Sequence, residues 1–139
     1  MISPEVIARF EQLVAMSTVA RATADGLRPA VEHWRLECQK QSTNFESAAR
    51  GYGRVEVRDG SPVRLITREK RSGNLVSWVD EAVPIPELAG LADDLVRVRE
   101  KLTTARSRLD EANIRASGLR GAVDSAREAL RELGWKESR

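Results

Sequence analysis

The 139-residue chain has one cysteine, Cys38, and one histidine, His33. A single thiol excludes an internal disulfide and a cysteine-built zinc site. A lone imidazole removes most metal and acid–base chemistry, so no cofactor or metal is expected. Cys38 and His33 stand five residues apart, a spacing that points them to different sides of a helix and argues against a nucleophile–base pair. Aromatic residues are only 4% of the chain, too few for a thick core. No run of about 18 apolar residues occurs, so no transmembrane helix is expected. The opening Met1-Ile2-Ser3-Pro4-Glu5 lacks the basic segment of a secretory signal. Neither sign of charge dominates: 23 Lys+Arg stand against 21 Asp+Glu, a net +2. That is too weak a field to hold nucleic acid by charge alone. The expected setting is the cytoplasm, or the inside of an assembly such as a virion, with no membrane partner.

Charge itself is abundant, at 32% of residues, which fits long helices with solvated faces. The pattern reads as α+β, mainly α. A first helix is expected from Pro4 to about Ala24, with Ser3 as its cap and Pro4 in the first turn, where a missing N–H costs nothing. Gly26 supplies a stop signal. A second helix is expected from Pro29 to about Arg50, and the short link Asp25–Arg28 predicts an antiparallel helical hairpin. From Arg54 to Val79 the period changes to two, giving two or three short antiparallel strands. Asp59-Gly60-Ser61-Pro62 and Arg71-Ser72-Gly73-Asn74 supply the turns. Pro84-Ile85-Pro86 reads as a stiff hinge. These signals divide the chain into a helical-hairpin and sheet module over 1–83, the hinge 84–86, and a long helix over 87–139.

That last helix carries the strongest signal. Its apolar residues step by 3 and 4 without a break: Leu88, Leu91, Leu95, Val98, Leu102, Ala105, Leu109, Ala112, Ala116, Leu119, Val123, Ala126, Leu130 and Leu133. This is the heptad seam of a coiled coil. As one helix the seam would be about 69 Å long at a rise of about 1.5 Å per residue. Gly118 and Gly121 each weaken a helix interior, so a bend or a fold-back is weighed near them, with a continuous helix preferred. Trp135, just after Gly134, is placed either to cap the helix end or to dock into a partner.

The residues beside the seam are basic. With Leu88 at position a, Arg99, Arg106, Arg120 and Arg127 fall at e, and Lys101, Arg108 and Arg115 fall at g. Two copies of this helix would set like charges together, which disfavours a simple self-pair and predicts a partner helix with acidic flanks. That partner is either another protein or this chain's own N-terminal helices. The competing reading is that the arginine stems lie along the seam and reach to solvent.

A second basic group, Arg64, Arg68, Lys70 and Arg71, lies around the second hairpin. It is diluted by Glu56, Asp59 and Glu69 and reads first as a solvated sheet face. The expected function is a non-enzymatic structural, assembly or adaptor subunit of a larger protein complex. It would associate through the seam as an oligomer or hetero-complex, and a phage or virion component suits the plan. The alternatives are a nucleic-acid-binding regulator that uses the 64–71 hairpin, and a small protein inhibitor that blocks a partner's site.

Overall fold

The computed structural model describes residues 2–137. Its elements run α1 (Pro4–Ala49), β1 (Val55–Arg58), β2 (Ser61–Ser72), β3 (Leu75–Pro84) and α2 (Ala89–Glu132), with 3-10 turns at Arg50–Tyr52 and Pro86–Leu88. The chain is thus α+β and mainly α, with one three-stranded antiparallel sheet.

The expected N-terminal hairpin does not form: one 46-residue helix runs through Gly26 and Pro29. Pro29 forfeits a helix bond to the Asp25 carbonyl and costs about 3 kcal/mol. Ala24 before it is buried, and Leu27 and Val31 on either side are half-buried. Fully burying a Leu or Val gains about 1.5–3 kcal/mol, so the partial burial of these two, with that of Ala24, offsets much of the lost bond. The Asp25 carboxylate also bridges Arg21 at 3.8 Å and Arg28 at 3.3 Å across the same turn. The stop signals at Gly26 and Pro29 therefore lose to a stripe that continues past them. That stripe is Phe10, Leu13, Ser17, Ala20, Ala24, Leu27 and Val31, then Trp34, Cys38, Gln41, Phe45 and Ala48, all buried or half-buried. It steps by 3 and 4 as the seam does, but Ser17 and Gln41 mask it in the sequence.

Two compact units form. One comprises the chain up to Glu32 together with Thr104 onward, and the other is His33–Thr103. In the first, α1 and α2 lie antiparallel. Phe10, Val123 and Leu130 make its core, joined by Ile2, Leu13, Val14, Ala126 and Trp135. Ser3 caps α1, accepting the Val6 N–H on its Oγ at 3.4 Å and on its carbonyl at 3.1 Å. α2 is continuous through Gly118 and Gly121 and closes at Gly134, whose φ is 88°. There the Trp135 N–H donates to the Leu130 carbonyl at 3.0 Å and the Gly134 N–H to Arg131 at 2.9 Å, a Schellman cap. Trp135 then meets Phe10 edge to face at 5.3 Å.

In the second unit the sheet order is β1-β2-β3. Both turns are two residues long, Asp59-Gly60 and Gly73-Asn74, each with a positive-φ glycine. The buried residues include Pro62, Val63 and Leu65 of β2, then Ile85, Leu88, Ala92, Leu95, Val98 and Leu102. Asp80 on β3 accepts from Thr67 on β2 at 3.0 Å and from Arg54 at 3.2 Å, tying three segments together. Pro84-Ile85-Pro86 is held at its centre: Ile85 is buried, and its N–H donates to the Pro62 carbonyl at 3.0 Å. Pro84 ends β3, and Pro86 opens the 3-10 turn, where its missing N–H costs nothing.

A Cβ added at Gly118 or Gly121 would meet nothing within 4 Å. Gly118→Ala and Gly121→Ala should therefore each stabilise the chain by about 0.5–1 kcal/mol, read as a higher denaturant midpoint. A loss of stability at either would show that the helix needs glycine there.

Candidate protein-interaction surface

Most of the seam is spent inside the chain. Leu88, Leu95, Val98, Leu102, Ala116, Val123 and Leu130 are buried. Leu91, Ala105, Leu109, Ala112, Leu119 and Ala126 are half-buried. Only Leu133 of the fourteen stands out, at 71% exposure. In the first unit α1's own stripe covers α2, so an apolar surface open to another molecule has to lie beside the seam.

The first unit has two sides, and they differ in chemistry. On one side, a groove of about 450 Å³ is lined by Ala15, Met16, Val19 and Ala20 of α1 and by Ala112 and Arg115 of α2, among others. A second groove, of about 360 Å³, is lined by Val6, Phe10 and Leu13 with Ala126, Ala129 and Leu133. Val6, Met16, Val19 and Leu133 expose large apolar surface here, Val19 at 65%. The charged residues lining these two grooves are Arg9 and Arg115. On the other side, a polar groove of about 670 Å³ is lined by Arg21, Asp25, Arg28 and Arg120, with Ser17, Thr18, Asn113 and Ser117. Asp25 pairs with two of its three arginines.

The basic flanks of the seam are thus divided among several tasks. Arg115 borders an apolar groove and Arg120 the polar one. Arg127 pairs with Asp124 at 3.5 Å and Glu137 at 3.1 Å, and its guanidinium lies 5.8 Å from the Phe10 ring centre. In the second unit Lys101 places its ammonium 4.7 Å from the Trp34 ring centre, a cation–π contact. Arg99, Arg106 and Arg108 are exposed.

The hairpin's basic residues are divided between the two sheet faces. By register Arg64, Arg68 and Lys70 share one sheet face and Arg71 takes the other. Arg68 is ion-paired to Glu81, and Arg71 to Glu69 at 3.0 Å. Phosphate contact would have to break those pairs. His33 is exposed and packs edge to face on Trp34 at 4.7 Å, and Cys38 is half-buried. Among the described residues no group of three His, Cys, Asp or Glu could hold a metal ion, and no helix is long and apolar enough to cross a membrane.

Val6, Met16 and Val19 lie beside the buried stripe of α1 and belong to no motif in the sequence. A wider apolar arc than one stripe requires was the available signal.

The seam should respond unevenly to truncation. Phe10→Ala removes a buried ring that carries both Trp135 and Arg127 contacts and should cost about 3–5 kcal/mol. Leu133→Ala should cost well under about 1 kcal/mol, since its side chain is mostly in water. Equal costs in chemical denaturation would contradict this division of the seam.

Compared with known proteins, the chain matches no family model, no curated protein and no solved structure.

Proposed function

We propose that this chain is a non-enzymatic assembly or adaptor subunit of a larger protein complex. It docks an amphipathic helix of another subunit along the apolar side of its first unit. The observation that carries the reading is the open apolar face of Val6, Met16, Val19 and Leu133, which α1 and α2 leave uncovered. Exposed apolar side chains lining grooves on a small chain make a surface that water disfavours and a partner can cover. An amphipathic helix laid in a groove between two helices is a recurrent way to cover one. Arg9 and Arg115 on the groove walls favour acidic flanks on the incoming helix. Because the seam leucines are largely buried, the docking surface is placed beside the seam and not on it. The paired state of Arg68 and Arg71 favours this reading over a nucleic-acid regulator.

Affinity capture from the native source, with wild type and Met16→Asp/Val19→Asp side by side, tests the reading. Both positions are exposed, so the variant should keep the helical circular dichroism of wild type. A protein held by wild type should be bound 10- to 100-fold more weakly by the variant, about 1.4–2.7 kcal/mol. Arg9→Glu/Arg115→Glu should weaken the same complex, and added salt should weaken the wild-type complex modestly. Equal retention by wild type and the aspartate variant would refute the groove as the docking surface.

A further inference from the structure

We infer that β3 is a self-association edge, along which a second copy of this chain pairs antiparallel about Ser77. This inference rests on the sheet alone and is independent of the helical groove. The sheet has two edges, β1 and β3. β1 is guarded: it is four residues long, and Glu56 and Arg58 upon it pair at 3.2 Å. Short length and charge are the usual protections of an edge strand. β3 is ten residues long, and its first five, Leu75-Val76-Ser77-Trp78-Val79, carry no charge, no proline and no glycine. All five are exposed, Leu75 at 76% and Trp78 at 69%.

The direction of the backbone groups follows from the register. Ile85 N–H donates to the Pro62 carbonyl, and bonded pairs alternate from there along β2 and β3. Residues 75, 77, 79, 81 and 83 therefore bond inward to β2. Val76, Trp78, Asp80 and Ala82 present their N–H and C=O groups to the open side. Asp80 itself is held by Thr67 and Arg54, and Glu81 by Arg68.

This parity restricts how a second β3 can pair. Outward groups must meet outward groups, so the two-fold axis must pass through a residue and not between two. Centred on Ser77, Val76 meets Trp78 of the second copy, Leu75 meets its Val79, and Ser77 meets its Ser77. Every apolar residue then faces an apolar one, and an aromatic faces a β-branched side chain, a favourable cross-strand pair. Asp80 falls opposite Asn74, so no like charges meet. Centred on Trp78 instead, Val76 would face Asp80 and Leu75 would face Glu81. Centred on Val76, Trp78 would face Asn74. The apolar run is self-complementary about Ser77, which favours a second copy over a foreign strand. An isologous pair of this kind closes both exposed edges at once.

The test uses the full chain with Cys38→Ala to leave no other thiol. Ser77 meets its own counterpart in a non-bonded pair, where the Cα atoms lie about 4.5 Å apart. That separation suits a disulfide, whose Cα atoms lie about 4.4–6.8 Å apart. Adding Ser77→Cys should give an oxidised dimer on a non-reducing gel, whereas adding Trp78→Cys or Val79→Cys should not. Sedimentation should give wild type twice the chain mass, and Val76→Lys/Trp78→Lys should weaken that association at least tenfold with circular dichroism unchanged. A wild-type chain that sediments as a single copy, or a dimer that survives the lysine variant, would overturn the proposal. Cross-linking as strong at Trp78 as at Ser77 would overturn the register. Met16→Asp/Val19→Asp should leave this dimer intact, which separates the edge from the helical groove.

Discussion

An apolar stripe on a helix must be covered, and here α1 and α2 each carry one. The seam from Leu88 to Leu133 steps by 3 and 4, with twelve of its fourteen apolar positions inside α2, and α1 presents buried and half-buried positions on the same step from Phe10 to Ala48. Within the first unit the two stripes cover each other. At the end of that unit Phe10, Val123 and Leu130 are buried together, and the Gly134 cap turns Trp135 back onto the same cluster. The cap and the core support each other: the left-handed turn at Gly134 satisfies the last carbonyls and also delivers an indole to the Phe10 ring.

Two helices can cover only one stripe each, and this sets which of their surfaces stay open. Once the seam is closed, what remains on each side of the helix pair is set by the residues next to the stripe. On one side these are Met16, Val19 and a row of small α2 residues. On the other they are Arg21, Asp25, Arg28 and Arg120. The same pair of helices thus has one face suited to apolar docking and one suited to water. The basic flanks serve different ends in different places: Arg127 closes on Asp124 and Glu137, Lys101 on Trp34, and Arg115 borders the apolar groove.

The sheet obeys a separate constraint. Its buried end, at Pro62, Val63 and Leu65, the Thr67–Asp80 hydrogen bond and the Arg68–Glu81 ion pair hold β2 and β3 in register. Beyond that end the ribbon has little apolar cover of its own, since all of β3 but Val83 is exposed. A two-stranded ribbon in water is only marginally stable, so its bare Leu75–Val79 edge is the part of the sheet with most to gain from pairing.

The sequence by itself determined the local features, because each depends on neighbours a few residues away. The seam of α2 follows from a step of 3 and 4, the cap at Ser3 from a hydroxyl before Pro4, and the strands from alternation around Asp59-Gly60 and Gly73-Asn74. What covers α2 was decided only in the tertiary structure. Gly26 and Pro29 are strong local stop signals, and they predicted two helices where there is one. A lost hydrogen bond at Pro29 is a cost visible in the sequence. The burial of Ala24, Leu27 and Val31, which offsets it, depends on the part of α2 from Thr104 onward, far along the chain. The apolar arc from Met16 to Val19 likewise becomes an exposed face only after α2 has taken the stripe beside it. The hairpin arginines were legible as a basic group, and strand alternation sets Arg71 on the opposite face, but only the pairing register brought Arg68 beside Glu81. Local pattern fixes which surfaces are apolar or charged. Long-range packing, which no short window contains, fixes which of them stay open.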